Sequence, residues 1–256
     1  MAYFQGAFRS AVLGMDTNVN VILPYDRYDG NGNPGRYDKV LYMLHGLKQN
    51  ADAWPRMSGI ERYANYYGYA VVVPEVQRSF YTDMARGMNY FTYLTEELPR
   101  AVQEMFHLPA GRENTYVGGL SMGGYGALKC ALTRPDLYAG AMCFSGGYHS
   151  LQHPEALMKN YYSRGEIEGI LGEELKVRPE DDLEHLVRAF PKDGKKPGLY
   201  LACGTEDFLY QSNLCMRDTL RENGFDLTWE AWEGAHDWRF WDVAADRAMK
   251  LFAEQR

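Results

Sequence analysis

The chain has no uninterrupted apolar run approaching the roughly 20 residues a helix needs to cross a bilayer. Even Tyr69 to Val73 is stopped by Pro74. No membrane partner is therefore expected. The N-terminus, Met1-Ala2-Tyr3-Phe4-Gln5-Gly6, lacks a basic head followed by an apolar stretch, so no secretory signal is seen and a cytoplasmic location is the expectation. Positive charge is in deficit: 27 Lys and Arg against 34 Asp and Glu give a formal charge of −7, which weighs against a nucleic-acid partner. Cysteine is scarce. Cys130, Cys143, Cys203 and Cys215 are far apart, form no C-x-x-C pair and mostly sit in apolar segments, which predicts reduced thiols and neither a disulfide framework nor a metal centre. Internal repeats, low-complexity tracts and long charge runs are absent as well.

What is present is an ordinary globular composition. Over 256 residues, 46% are apolar and 24% charged, enough for one sizeable core, and this excludes disorder and coiled coil. One domain over 1–256 is the economical reading. Aromatics are plentiful at 20 Tyr, 11 Phe and 5 Trp, and a Tyr suits both a core and a cleft that handles rings or sugars. Two β-rich runs, Ala7 to Leu13 and Val19 to Leu23, flank Gly14-Met15-Asp16-Thr17-Asn18 and predict a hairpin. A Gly/Asn/Asp/Pro-rich loop, Tyr25 to Asp38, follows.

From Lys39 the rhythm changes. Val40 to Leu44, Ala70 to Val73, Thr115 to Val117, Ala141 to Phe144 and Leu199 to Cys203 are short, nearly continuous apolar runs, as expected for strands covered on both faces. Leu227 to Trp232 reads as a more polar edge strand. Between them, apolar residues recur at helical spacing in Ile60, Tyr63, Ala64 and Tyr67, in Leu94, Leu98, Ala101 and Met105, in Tyr125, Leu128 and Leu132, and in Trp241, Ala244, Ala248 and Phe252. Such alternation predicts a mostly parallel sheet with helices on both faces and the hairpin extending one edge antiparallel. Pro99 should kink or break the second helix. Residues 148–197 contain no convincing strand but do contain helical stretches, and are too long for a plain loop. They predict a small helical insertion over the carboxyl ends of the strands.

The strongest chemical signal is Gly119-Leu120-Ser121-Met122-Gly123, set where a strand ends and a helix begins. That spacing fits a nucleophile elbow, in which the Ser sits on a strained turn and the flanking glycines let neighbouring backbone pack close. A Ser hydroxyl attacks only if a base takes its proton and an acid orients that base. In this architecture the acid follows the Ser in the chain and the His comes last. Cys203-Gly204-Thr205-Glu206-Asp207 and Gly234-Ala235-His236-Asp237-Trp238 both follow strands, at the sheet edge where Ser121 sits. His236 is the best base of the six histidines and Asp207 the favoured acid, with Glu206 and Asp237 as rivals. The oxyanion formed on attack needs two donors. The amide N–H of Met122 is one, and that of Leu47, in His45-Gly46-Leu47 after an early strand, is the other. His45 would then support its loop and transfer no proton.

These segments, together with Leu44-His45-Gly46-Leu47, Gly124-Tyr125-Gly126-Ala127-Leu128, Ile60-Glu61-Arg62-Tyr63-Ala64 and Arg78-Ser79-Phe80-Tyr81-Thr82-Asp83-Met84, resemble the esterase D family of α/β-hydrolases, its bacterial tributyrin-esterase branch above all. That family groups tributyrin, feruloyl and acetyl xylan esterases with S-formylglutathione hydrolases. The resemblance runs over nearly the whole chain and implies the triad Ser121, Asp207 and His236 with the Leu47 and Met122 donors. His45-Gly46-Leu47 and His236-Asp237-Trp238-Arg239 depart from the formylglutathione-hydrolase pattern, which speaks against a thioester.

The expected protein is thus a serine carboxylesterase for short acyl esters, needing no cofactor or metal. Its substrate would be a small-molecule or carbohydrate ester, and a homo-oligomer is compatible with its edge strands. Rival readings are a carbohydrate esterase of the feruloyl or acetyl xylan type, an acyltransferase on the same scaffold, and a non-catalytic sugar-binding protein. The loop Ser79 to Met84 is expected beside Ser121, and Trp54, Phe80, Tyr81, Tyr148 and Trp238 are the candidate substrate contacts, with core packing as the alternative for each.

Overall fold

The computed structural model describes residues 1–27 and 37–254. Most of the predicted loop Tyr25 to Asp38 lies outside them. Eight strands form one sheet: β1 (Ala2–Ser10), β2 (Met15–Leu23), β3 (Lys39–Leu44), β4 (Tyr69–Pro74), β5 (Thr115–Leu120), β6 (Gly140–Phe144), β7 (Gly198–Gly204) and β8 (Leu227–Trp232). Their order is β1-β2-β4-β3-β5-β6-β7-β8. β1 and β2 pair antiparallel, β2 meets β4 antiparallel, and every later pairing is parallel. The hairpin's first strand begins at Ala2 and ends at Ser10, earlier than the apolar run Ala7 to Leu13 indicates. β1 is an edge strand with little buried surface, so apolar pattern is a poor guide to its limits.

The helices are α1 (Ala53–Met57), α2 (Ile60–Tyr67), α3 (Tyr90–Thr92), α4 (Leu98–Phe106), α5 (Met122–Thr133), α6 (Pro154–Asn160), α7 (Arg164–Leu171), α8 (Leu183–Ala189), α9 (Tyr210–Glu222) and α10 (Trp238–Glu254). Side chains alternate across a strand, so each central strand serves two cores. Val40, Tyr42, Val72, Val117, Cys143 and Leu201 pack on one face with Leu98, Val102, Leu128 and Val187. Leu41, Met43, Val71, Met142, Phe144 and Ala202 pack on the other with Ile60, Ala64, Ala244 and Phe252. At about 1.5 to 3 kcal/mol for each fully buried large apolar side chain, these two layers dominate the fold's stability.

Pro99 does not break its helix. α3 and α4 are joined by a π-helical turn, Tyr93–Glu97, and Pro99 lies in the first turn of α4. The Thr95 carbonyl, which a residue without an N–H leaves unpaired four positions on, accepts instead from Arg134 Nη1 at 3.0 Å. Residues 148–197 hold α6, α7, α8 and two 3₁₀ turns, Ser150–Gln152 and Pro179–Asp181, with no strand. α8 packs against α5 and α9.

The sheet order also fixes where a site can form. From β3 the chain runs to β4 on one side and returns to β5 on the other, leaving a crevice at the carboxyl ends of β3 and β5. Leu44 pairs with Gly119 there, which sets the segment after β3 beside the turn after β5. Gly204 pairs with Trp232, which likewise brings the loops after β7 and β8 together.

Candidate active site

Ser121 stands alone between β5 and α5 with φ 54° and ψ −115°, a left-handed conformation that a serine adopts only under constraint. Two close approaches supply the constraint. A Cβ on Gly119 would lie 2.5 Å from the Gly123 carbonyl oxygen, and one on Gly123 would collide with the Leu44 carbonyl oxygen. The Ser121 amide donates to Phe144 O at 2.9 Å, and its carbonyl accepts from Gly147 N at 3.0 Å and Tyr125 N at 3.1 Å. The side chain is left to face the crevice.

His236 Nε2 lies 3.0 Å from Ser121 Oγ, and His236 Nδ1 lies 2.8 Å from Asp207 Oδ2. The other Asp207 oxygen accepts from Leu209 N at 2.8 Å, and the carboxylate is wholly buried. An ionised carboxylate can only accept, so Nδ1 carries the proton and Nε2 is free to take one from the serine. Of the rival acids, Glu206 is exposed, and Asp237 accepts from the Arg239 and Phe240 amides at the start of α10. The imidazole is held edge-on to Trp241 at 4.8 Å, and the Phe208 ring lies 4.6 Å away on a tilt.

Leu47 and Met122 line the same cavity as Ser121 and His236. Met122 is the first residue of α5, so its N–H has no acceptor within the helix. The turn carrying Leu47 is pinned by Gly46 N donating to Gln49 Oε1 at 2.9 Å and Gln49 N to Gly46 O at 3.1 Å. His45 is buried beneath it. Its Nδ1 lies 2.9 Å from Gly46 O and its Nε2 receives Val76 N–H at 3.3 Å. Glu75 Oε1 also lies 3.5 Å from Nε2.

The cavity is about 330 Å³, and Phe80 is the one expected substrate contact that lines it. The others do not. Trp54, Tyr81 and Tyr148 are fully buried, and Trp238 packs edge-on between Trp54 and Trp241. For Trp54 and Tyr81 the polar tip is satisfied inside, whereas the buried Tyr148 hydroxyl has no hydrogen-bond partner among the described residues. Trp54 Nε1 donates to Leu44 O at 2.9 Å, and Tyr81 OH donates to His45 O at 2.8 Å. Burial raises the Tyr81 pKa well above its ordinary value, so that hydroxyl remains a donor. Both side chains therefore brace the segment that leads into Gly46-Leu47. The remaining wall comes from Lys48, Leu157, Tyr161, Phe208 and Leu209, which the sequence reading did not single out. Within 148–197, only Ser150, Leu157 and Tyr161 reach the cavity.

A family model described as "Putative esterase" matches residues 10–249. The chain belongs to this esterase family. It is of the esterase D-like kind, and the fold is that of the α/β-hydrolases. An acetyl esterase from Caldicellulosiruptor saccharolyticus is 33% identical to this esterase over 269 residues, covering 99% of both chains. Among solved structures, the fluorophosphonate-binding serine hydrolase F of Staphylococcus aureus, with substrate bound, is 34% identical with a TM-score of 0.87, covering 99% of this chain and 98% of that one. An S-formylglutathione hydrolase of the same organism is also 34% identical, with a TM-score of 0.85 and 99% of both chains covered.

Proposed function

We propose that this esterase hydrolyses carboxylic esters of short acyl groups through an acyl-enzyme on Ser121. The observation that carries the reading is the relay Ser121 Oγ to His236 Nε2 at 3.0 Å and His236 Nδ1 to Asp207 at 2.8 Å. His236 takes the hydroxyl proton as Oγ attacks the ester carbonyl, and buried Asp207 stabilises the imidazolium that results. The Leu47 and Met122 amides receive the developing oxyanion. As the tetrahedral intermediate collapses, His236 returns the proton to the leaving alcohol oxygen. Water then enters, gives a proton to His236 and attacks the acyl carbon, and the acid departs as Ser121 regains its hydrogen.

A short acyl group fits the cavity of about 330 Å³, which Phe80 and Leu157 line together with the serine. The acetyl esterase relative supports the same substrate size. The S. aureus formylglutathione hydrolase supports a second reading, a formyl thioester, which the same machinery would cleave by the same steps. The test is Ser121→Ala. The variant is expected to lose roughly 10³-fold or more in kcat on p-nitrophenyl acetate, by the magnitude seen when triads are broken, while its melting temperature stays within a few degrees. A fluorophosphonate should label the wild type at Ser121 and not the variant. Near-normal hydrolysis by Ser121→Ala would refute the reading, and a kcat/KM on S-formylglutathione far above that on acetate esters would select the thioester.

A further inference from the structure

Core packing does not account for the place of Phe208. The residue is 66% exposed and belongs to neither face of the core. It directly follows Asp207, and the acid itself fixes the turn that carries it: Asp207 Oδ1 accepts from Leu209 N at 2.8 Å and the Asp207 carbonyl from Tyr210 N at 2.9 Å. Buried Asn213 anchors the same turn, donating to Leu209 O at 2.9 Å and to Gly146 O at 3.0 Å. The Phe208 ring is thereby set with its centroid 4.6 Å from that of the His236 imidazole, at an interplanar angle of 51°.

A second ring meets the same imidazole. Trp241 stands 4.8 Å from it at 90°, and its Nε1 donates to Ser145 Oγ at 3.1 Å. Ser145 is held at φ 47°, a conformation that serine rarely adopts. It follows Phe144, whose carbonyl accepts the Ser121 amide. The end of β6 therefore registers the nucleophile's turn on one residue and the wall of the base on the next.

What aromatic rings do for a histidine depends on its charge. His236 is neutral before attack and becomes an imidazolium as it takes the Ser121 proton. A ring attracts a cation within about 6 Å of its centroid and offers no such attraction to the neutral form. An interaction gained only as the charge develops raises kcat.

We propose that Phe208 is a positioning residue that acts through His236, closing with Trp241 an aromatic clamp that favours the imidazolium. The inference rests on the esterase reading above and adds a residue to its machinery. The competing role is a plain cover that keeps water off the base, and the two differ in sign. A cover disfavours the cation, so removing it raises the His236 pKa, whereas removing an attracting ring lowers it. The charged and titratable groups around the imidazole are Asp207, Glu206 and Cys203 from the end of β7, Ser121, Lys48 after β3, Tyr161 after α6, and Asp237 and Arg239 at the start of α10. A change at Phe208 alters none of them.

Phe208→Leu keeps apolar bulk and removes the ring, Phe208→Tyr keeps the ring, and the exposure of the site spares the core in both. On p-nitrophenyl acetate, Phe208→Leu should lower kcat roughly two-fold to five-fold, the strength of a cation at an exposed ring, and move the acid limb of kcat/KM to lower pH by about half a pH unit. Phe208→Tyr should leave that limb where the wild type has it. The limb reports the free enzyme, so contacts between Phe208 and the substrate do not move it. A limb that stays in place or moves to higher pH in Phe208→Leu overturns the proposal. An NMR titration of the His236 Cε1–H, assigned by its loss in His236→Gln, reads the same midpoint without turnover. Were the wild type to hydrolyse no ester while that midpoint still fell in Phe208→Leu, the esterase reading would fail and the clamp would stand.

Discussion

Lys129 is an unusual resident of the helix that follows Ser121. Its side chain is 2% exposed, and Nζ donates to Asp181 Oδ1 at 2.5 Å and to the Tyr81 carbonyl at 3.0 Å, with the Phe91 ring 4.0 Å away. Burial pulls its pKa below the ordinary lysine value, and Asp181 opposes that pull. Lys129→Met keeps the length of the side chain and removes the charge, leaving a buried aspartate short of a partner. Removing one member of a buried pair costs about 3 to 5 kcal/mol. Arg178 Nη2 still holds the other Asp181 oxygen at 2.6 Å, which places the expected loss near the lower end, about 3 kcal/mol. For a chain of this length that corresponds to a melting temperature lower by roughly 6 to 12 °C. Adding Asp181→Leu removes the second charge as well and should recover most of the loss, because the cost comes from the orphaned ion and not from the missing attraction. Activity should respond too. Lys129 holds the backbone of Tyr81, and Tyr81 OH holds the His45 carbonyl next to the turn that carries Leu47, so Lys129→Met should lower kcat more than it raises KM. Calorimetry of the two variants with p-nitrophenyl acetate kinetics decides it. A melting temperature within 2 °C of wild type for the single variant, or a double variant less stable than the single, would show the reasoning wrong.

Two further outcomes follow from the site. Asp207→Asn keeps the shape of the acid but offers an amide in place of an acceptor-only carboxylate, so the ring of His236 is no longer held with its proton on Nδ1; kcat should fall roughly 10⁴-fold, as when the corresponding acid of a serine triad is amidated. Exposed Glu206→Gln should stay within about two-fold, and equal losses in the two variants would leave the identity of the acid open to the rival. Glu75 supplies the pH prediction. Burial raises its pKa, but the facing His45 ring and the amides of Gln77 and Ala51, donating at 2.7 and 3.0 Å, outweigh burial and leave it below the ordinary value of 4.5. A carboxyl depressed in the folded state stabilises the fold above its unfolded pKa and loses that contribution as the pH falls through the folded value. The stability gap between wild type and Glu75→Gln should therefore be full at pH 6 and close progressively below about pH 4.5. A gap that does not change between pH 6 and pH 3 in thermal melts would contradict it.

How much of this was readable from residues alone depends on whether the controlling contacts are local. The turn at Ser121 is local: the glycines that permit it are two residues to either side, so the motif carries its own geometry. The approach of His236 and Asp207 is not local, but chain order and strand ends constrain it, since a parallel sheet delivers every strand's carboxyl end to one edge. Side-chain direction has no such constraint. Trp54 and Tyr81 follow or flank the right strands and still turn inward, because an indole N–H or a phenol can pair with a backbone carbonyl in the core as readily as with water. Phe208 shows the converse. It sits directly after Asp207 in the sequence, yet an exposed phenylalanine is indistinguishable from a buried one until the surface exists. Lys129 lies between these cases. A single lysine among Tyr125, Leu128 and Leu132, in a helix buried all round, already signals a buried counter-charge. What it cannot signal is which one, because Glu180, Asp181 and Asp182 are consecutive and some 50 residues away. Only the 3₁₀ turn Pro179–Asp181 sorts them, aiming Asp181 inward at Lys129 while Asp182 begins α8 by accepting from the Glu184 and His185 amides.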